Sequence, residues 1–138
     1  MRYTYILILL LLSNFLFAQQ AQMYFEKGVI KYNKFDYNEA IRLLDSAIIL
    51  NPRYSEAYNA RGLAKGYNQD YKGAIADYNL AIEIKPDFGI AYHNRGITKN
   101  NIGDKQGACE DWNIALGLKV EGVQTLISMF CRDIEIKK

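Results

Sequence analysis

Aligned on itself with a shift of 34 residues, the chain brings Tyr24, Tyr58 and Tyr92 into one column, Gly28, Gly62 and Gly96 into a second, and Lys31, Lys65 and Lys99 into a third. Further columns hold Asp36, Asp70 and Asp104; Ala40, Ala74 and Ala108; and Ala47, Ala81 and Ala115. Tyr37 matches Tyr71 and Pro52 matches Pro86, with Val120 where a third proline would fall. A gapless register over three units requires each unit to be one supersecondary element that buries its apolar face against its neighbours. The units run over 21–54, 55–88 and 89–122.

Each unit reads as two helices. From Ala21 to Asn33, Tyr24, Phe25, Gly28, Val29 and Tyr32 fall on one broad helical face. From about Tyr37 to Leu50, Ala40, Ile41, Leu44, Ala47 and Ile48 recur at spacings of three and four, which lines a second stripe. Lys34 to Asp36 suits a tight turn between antiparallel helices. Gly28 and Ala40 are small because helix axes about 8 to 10 Å apart leave no room for larger side chains at the crossing, and Tyr24 and Leu44 fill the volume beside them. Asn51-Pro52 and Lys85-Pro86 stop the second helices, since proline lacks the N–H and pushes its predecessor out of the helical region.

These residues resemble the tetratricopeptide repeat family, whose 34-residue unit carries W-x2-L-G-x2-Y, A-x3-F and a late proline. Here the pattern appears as Tyr24-x2-Lys27-Gly28-x2-Lys31, Ala40-x3-Leu44 and Pro52. It returns as Tyr58-x2-Arg61-Gly62-x2-Lys65, Ala74-x3-Tyr78 and Pro86, and then as Tyr92-x2-Arg95-Gly96-x2-Lys99 and Ala108-x3-Trp112. The resemblance implies an all-α, right-handed α-solenoid of three helix-turn-helix units. It covers residues 21–122 and specifies a scaffold rather than a ligand.

Lys27, Arg61 and Arg95 replace the family's leucine, which puts a cation at a half-buried position of each first helix and calls for acidic partners. Asp77 and Asp111 share a column on the second helices. The expected structural ion pair joins Arg95 to Asp77 across the unit boundary, or each arginine to the aspartate of its own unit; the other reading is a ligand-binding arginine.

Beyond the third unit, Val123, Leu126, Ile127 and Phe130 predict an amphipathic capping helix over about 121–131, which covers the face that a further repeat would bury. A charged tail follows over 132–138, in which Ile134 and Ile136 are candidates for packing. Cys109 and Cys131 sit on adjacent packed elements, and three readings stay open: a disulfide, two buried thiols, or a redox or metal pair, the last without the close spacing such sites use.

Residues 1–18 read as a secretory signal: Arg2, an apolar run from Ile6 to Leu12 continuing through Phe15 to Phe17, then Ala18 before Gln19 as the expected cut. The run is short against the roughly 20 apolar residues that span a bilayer. An uncleaved membrane anchor and a buried structural segment are the alternatives. Cleavage leaves residues 19–138 as a domain with no membrane insertion, placed in the periplasm or secreted.

The chain has 138 residues, 17 Lys and Arg against 15 Asp and Glu, one histidine and 50% hydrophobic residues, which fits a globular fold and gives no electrostatic footprint for nucleic acid. No phosphate-binding loop or metal-spaced ligand cluster stands in it, and adjacent acids such as Glu110 and Asp111 point apart on a helix. The expectation is no enzyme, no cofactor and no metal. The tetratricopeptide resemblance further implies a concave surface of first-helix residues that binds a protein or peptide. On this chain it comprises Phe25, Val29, Tyr32 and Asn33; Asn59, Leu63 and Tyr67; and His93, Ile97, Asn100 and Asn101. Apolar positions would accept side chains and amides would bond an extended backbone. For Val29, Leu63 and Ile97 the simpler alternative is packing between first helices. The family's carboxylate grip is absent from the first unit, where Phe25 and Val29 occupy its places. A structural alternative to partner binding is a self-associating solenoid, a homo-oligomer stacked through its repeat ends.

Overall fold

A computed structural model describes residues 2–132, and among these the chain is entirely helical. The helices are α1 (Arg2–Asn33), α2 (Tyr37–Leu50), α3 (Ser55–Tyr67), α4 (Tyr71–Ile84), α5 (Gly89–Asn101), α6 (Lys105–Gly117) and α7 (Val123–Phe130). They pair as α1 with α2, α3 with α4 and α5 with α6, each pair leaning on the next, and α7 closes the stack against α6. The expected tail, with Ile134 and Ile136, lies outside the described residues.

The repeated glycines sit where each unit's own two helices touch. A Cβ added to Gly28 would lie 2.8 Å from Leu44 Cγ, one on Gly62 2.7 Å from Tyr78 Cε1, and one on Gly96 2.6 Å from Trp112 Nε1. Leu44, Tyr78 and Trp112 are buried in turn, as are Ala40, Ala74 and Ala108. The aspartate column has a purpose that periodicity alone does not reveal. Asp70 and Asp104 accept hydrogen bonds at 2.9 Å from the backbone N–H of Gly73 and Gly107, and Asp36 accepts a longer one of 3.4 Å from Glu39. Each aspartate thereby caps the N-terminus of a second helix, satisfying a donor that has no partner inside the helix.

The turns before these caps need one left-handed residue. Phe35 (φ 62°), Gln69 (φ 65°) and Gly103 (φ 87°) supply it, so only the third unit meets the demand with glycine. At the far end of the second helices, Asn51 and Lys85 close α2 and α4 before their prolines. Without a proline at Val120, α6 instead ends in a left-handed turn at Lys119 (φ 62°), and the Val120 N–H returns to the Ala115 carbonyl at 3.0 Å.

The cap is shorter than predicted, starting at Val123 after Gly122, whose φ is 76°. Val123 is fully buried beside Trp112 and Ala115, and the Phe130 ring lies 5.8 Å from that of Trp112. Cys109 and Cys131 form a disulfide with their Cα atoms 5.8 Å apart, which fixes the end of α7 to α6.

At the other end, α1 departs from the sequence reading. The first repeat helix does not begin at Ala21 but continues unbroken from the apolar leader. Side chains from Ile6 to Leu12 and from Phe15 to Phe17 are exposed, which rules out the buried structural segment. Burial begins at Ala21, 1% exposed, where α1 meets the body of the stack. The apolar run, short for a bilayer by itself, belongs to a helix over Tyr3–Asn33 long and apolar enough to cross one, an 18-residue stretch of it having a mean hydropathy of 1.6.

Candidate functional site

The ion pairs explain why one expected ligand contact is closed. Arg61 donates from Nε and Nη2 to the two oxygens of Asp77 at 2.9 and 2.6 Å, and Arg95 does the same to Asp111 at 2.8 and 2.6 Å. Lys65 and Lys99 approach the same carboxylates at 2.9 and 3.0 Å. Arg95 therefore does not pair with Asp77. Antiparallel helices of one unit set residues 16 apart face to face, and Asp111 stands in that place. Across the boundary Arg95 meets Asn79 at 2.6 Å, as Arg61 meets Asp45. With these donors engaged inside the packed pairs, the arginines are not open to a ligand. Lys27 is the exception: it is exposed, because Leu43 occupies the column of Asp77 and Asp111.

The first helices α1, α3 and α5 line two adjoining cavities. One, of about 300 Å³, is walled by Phe25, Val29, Tyr32, Asn33, Glu56 and Asn59, with Ala60, Leu63 and Phe88. The other, of about 560 Å³, is walled by Leu63, Tyr67, His93, Ile97 and Asn101 together with Gln69, Tyr71, Tyr78, Asn94 and Thr98. Leu63 belongs to both. Val29, Leu63 and Ile97 thus face the groove rather than serving only as packing between helices. Of the expected residues only Asn100 lines neither cavity.

Two amide and imidazole groups differ from the expectation in detail. The Asn59 oxygen is already taken by a buried hydrogen bond from Asn94 Nδ2 at 3.0 Å, so it is not free for a ligand. His93 Nδ1 is buried with no hydrogen-bond partner, and burial lowers the ring's pKa, so the imidazole stays neutral at pH 7 and presents an unfilled polar atom. No group of three or more His, Cys, Asp or Glu side chains among the described residues is placed to hold a metal.

Aromatic residues outside the first helices complete the site. Tyr37 stacks on Tyr67 at 5.4 Å, and Tyr32 meets both at 5.8 and 5.7 Å, so a three-ring cluster joins Tyr32 of the smaller cavity to Tyr67 of the larger. Burial first, and then its tyrosine neighbours, raise the Tyr32 pKa to about 12. Phe25 rests on Tyr54 at 5.0 Å, and the Tyr54 hydroxyl bonds the Gln22 side chain. Tyr37 and Tyr71 were visible as a column without a role. Tyr54 and Phe88 also lie 34 apart, and that pairing was the signal by which they could have been found.

The tetratricopeptide repeat profile matches residues 21–54 and 55–88. No curated protein matches the sequence. Among solved structures, the OM64 tetratricopeptide domain of Arabidopsis superposes with a TM-score of 0.82 at 22% identity, covering 86% of this chain and 99% of that one. The first tetratricopeptide domain of Spaghetti (RPAP3), bound to the HSP90 peptide SRMEEVD, gives 0.80 at 21% identity, covering 83% and 93%. MamA gives 0.69 at 30% identity, covering 72% of this chain and 58% of that one.

Proposed function

Because this chain is built of tetratricopeptide repeats and folds as their interaction scaffolds do, we propose that it is a non-catalytic binding module of the cell envelope that holds an extended peptide in the groove of α1, α3 and α5. The observation that carries this reading is the pair of cavities meeting at Leu63, which offers side-chain pockets in series along one row of repeat positions. The Spaghetti domain is seen holding a peptide rich in carboxylates. Among the described residues neither cavity of the present groove is lined by a lysine or arginine, which favours a ligand of another kind.

Export rests on the leader and on the disulfide, which belongs to oxidising compartments. Processing after Ala18 removes the exposed apolar residues and leaves the first buried position, Ala21, in the product. N-terminal sequencing of the native protein tests this: a chain beginning at Gln19 supports it, and one that retains the leader favours a membrane anchor.

The groove is tested by affinity capture from envelope extract with the wild type and a Phe25→Ala, Tyr67→Ala, Asn101→Ala triple variant. Specific partners of the wild type should be lost from the variant while its helical content is unchanged. Retention of every partner removes the groove from the account.

A further inference from the structure

We propose that the smaller cavity selects a basic side chain, arginine or lysine, on the bound peptide. The proposal rests on the groove being the binding surface and names what that surface prefers.

Among the described residues, Glu56 is the one ionised side chain lining either cavity. Burial pushes its carboxyl up, but its own backbone N–H, the Ser55 hydroxyl at 2.9 Å and the Lys85 ammonium outweigh that and hold its pKa below the usual value. It is therefore a carboxylate at neutral pH. Around it stand the rings of Phe25, Tyr32 and Phe88, an apolar wall with negative faces that attracts cations. A carboxylate beside aromatic faces suits a cation carried on an apolar stem, because the stem fills the cavity while the charge reaches the acid.

The protein already shows a cation in this setting. Lys85, which follows α4 at the edge of the same cavity, places Nζ 3.6 Å from Glu56 Oε1 and 5.0 Å from the centre of the Phe88 ring. Both side chains of that ion pair are nearly half exposed, at 46% and 45%, so the contact is weak and exchangeable. Lys85 acts as an internal stand-in, and an incoming guanidinium or ammonium displaces it into water. An acidic side chain would meet Glu56 with no compensating cation other than Lys85 itself.

Selection of a random peptide library on the full-length protein tests the idea. The expected result is enrichment of arginine or lysine at one fixed position among apolar ones, and loss of that basic position with Glu56→Gln while the apolar positions persist. Replacing the basic residue of a selected peptide by norleucine should weaken binding about ten-fold, the scale of one charge-assisted hydrogen bond. Lys85→Met should strengthen it by about three-fold by removing the competitor. Enrichment of apolar positions without a basic one, or equal binding of the norleucine peptide, overturns the proposal and leaves the groove reading intact. Failure to enrich any peptide, or enrichment that survives the Phe25, Tyr67 and Asn101 alanine variant, overturns both.

Discussion

The first unit and the two that follow share a backbone plan but solve one packing position in opposite ways. In units two and three, Asp77 and Asp111, both 2% exposed, sit between an arginine and a lysine of the facing helix. In unit one the same column holds Leu43, itself buried, and Lys27 turns to solvent. The glycine crossing is alike in all three, so close approach at Gly28, Gly62 and Gly96 sets the register, and the ion cluster is an optional filling. The difference follows position in the stack. Arg61 reaches back to Asp45 and Arg95 to Asn79 of the preceding unit, whereas Lys27 follows the leader part of α1 and is exposed.

The largest effect should come from removing one member of the cluster. Asp77→Ala strands Lys65 and leaves Arg61 with Asp45 alone in a poorly hydrated place, and should cost about 3–5 kcal/mol in urea denaturation. Converting unit two to the apolar solution of unit one, with Arg61→Met and Asp77→Leu together, should recover most of that loss. A double variant as unstable as the single one would mean that the cluster, and not the glycine crossing, sets the register. Next comes the cap: Cys131→Ser should cost about 3 kcal/mol on the chain-entropy account. Hydrogen exchange should rise first in α7 and α6 and leave α1 and α2 protected; uniform loss would show that the ends are not independent.

The crossings can then be ranked. Gly62→Ala and Gly96→Ala push against the rings of Tyr78 and Trp112 and should each cost about 1–3 kcal/mol. Gly28→Ala meets Leu44, whose branched end yields more easily, and should sit at the low end of that range. Thermal melts of the three alanine variants check this order. A smaller gain should come from Gln69→Gly, which gives unit two the left-handed residue that unit three has at Gly103 and should add about 1 kcal/mol. The slightest effect is in alkali. Tyr32 has its pKa raised from 10.0 to about 12, so its neutral form favours the fold. That contribution is complete below pH 10 and disappears as pH rises through about 12, and the phenolate absorbance of Tyr32→Phe, compared with wild type, should lose one late-titrating phenol while those of Tyr54 and Tyr78, also raised by burial, remain.

Periodicity made the scaffold readable because three copies of each column average out local ambiguity. Gly28, Gly62 and Gly96 announced the crossings, and Pro52 and Pro86 the ends of α2 and α4. What periodicity cannot express is which columns face each other, since that depends on the rotation of one helix against its partner. Hence the columns alone leave Arg95 two candidate acids, and the 16-residue facing relation that selects Asp111 is a property of the packed pair. The groove was legible where it is made of first-helix residues. It was not legible where second-helix and linker rings enter it, as Tyr71, Tyr78 and Phe88 do, nor where Asn59 spends its oxygen on Asn94.

Leu63 stands as a saddle between the two hollows. A ligand that uses both must drape a slender residue over it and drop its anchors on either side, so the interval between anchors is fixed by the protein. Peptides of identical composition but shifted spacing would then engage only one hollow. On the proposed reading the groove would work as a ruler as well as a surface, discriminating by the interval between side chains that chemistry alone would treat as equals.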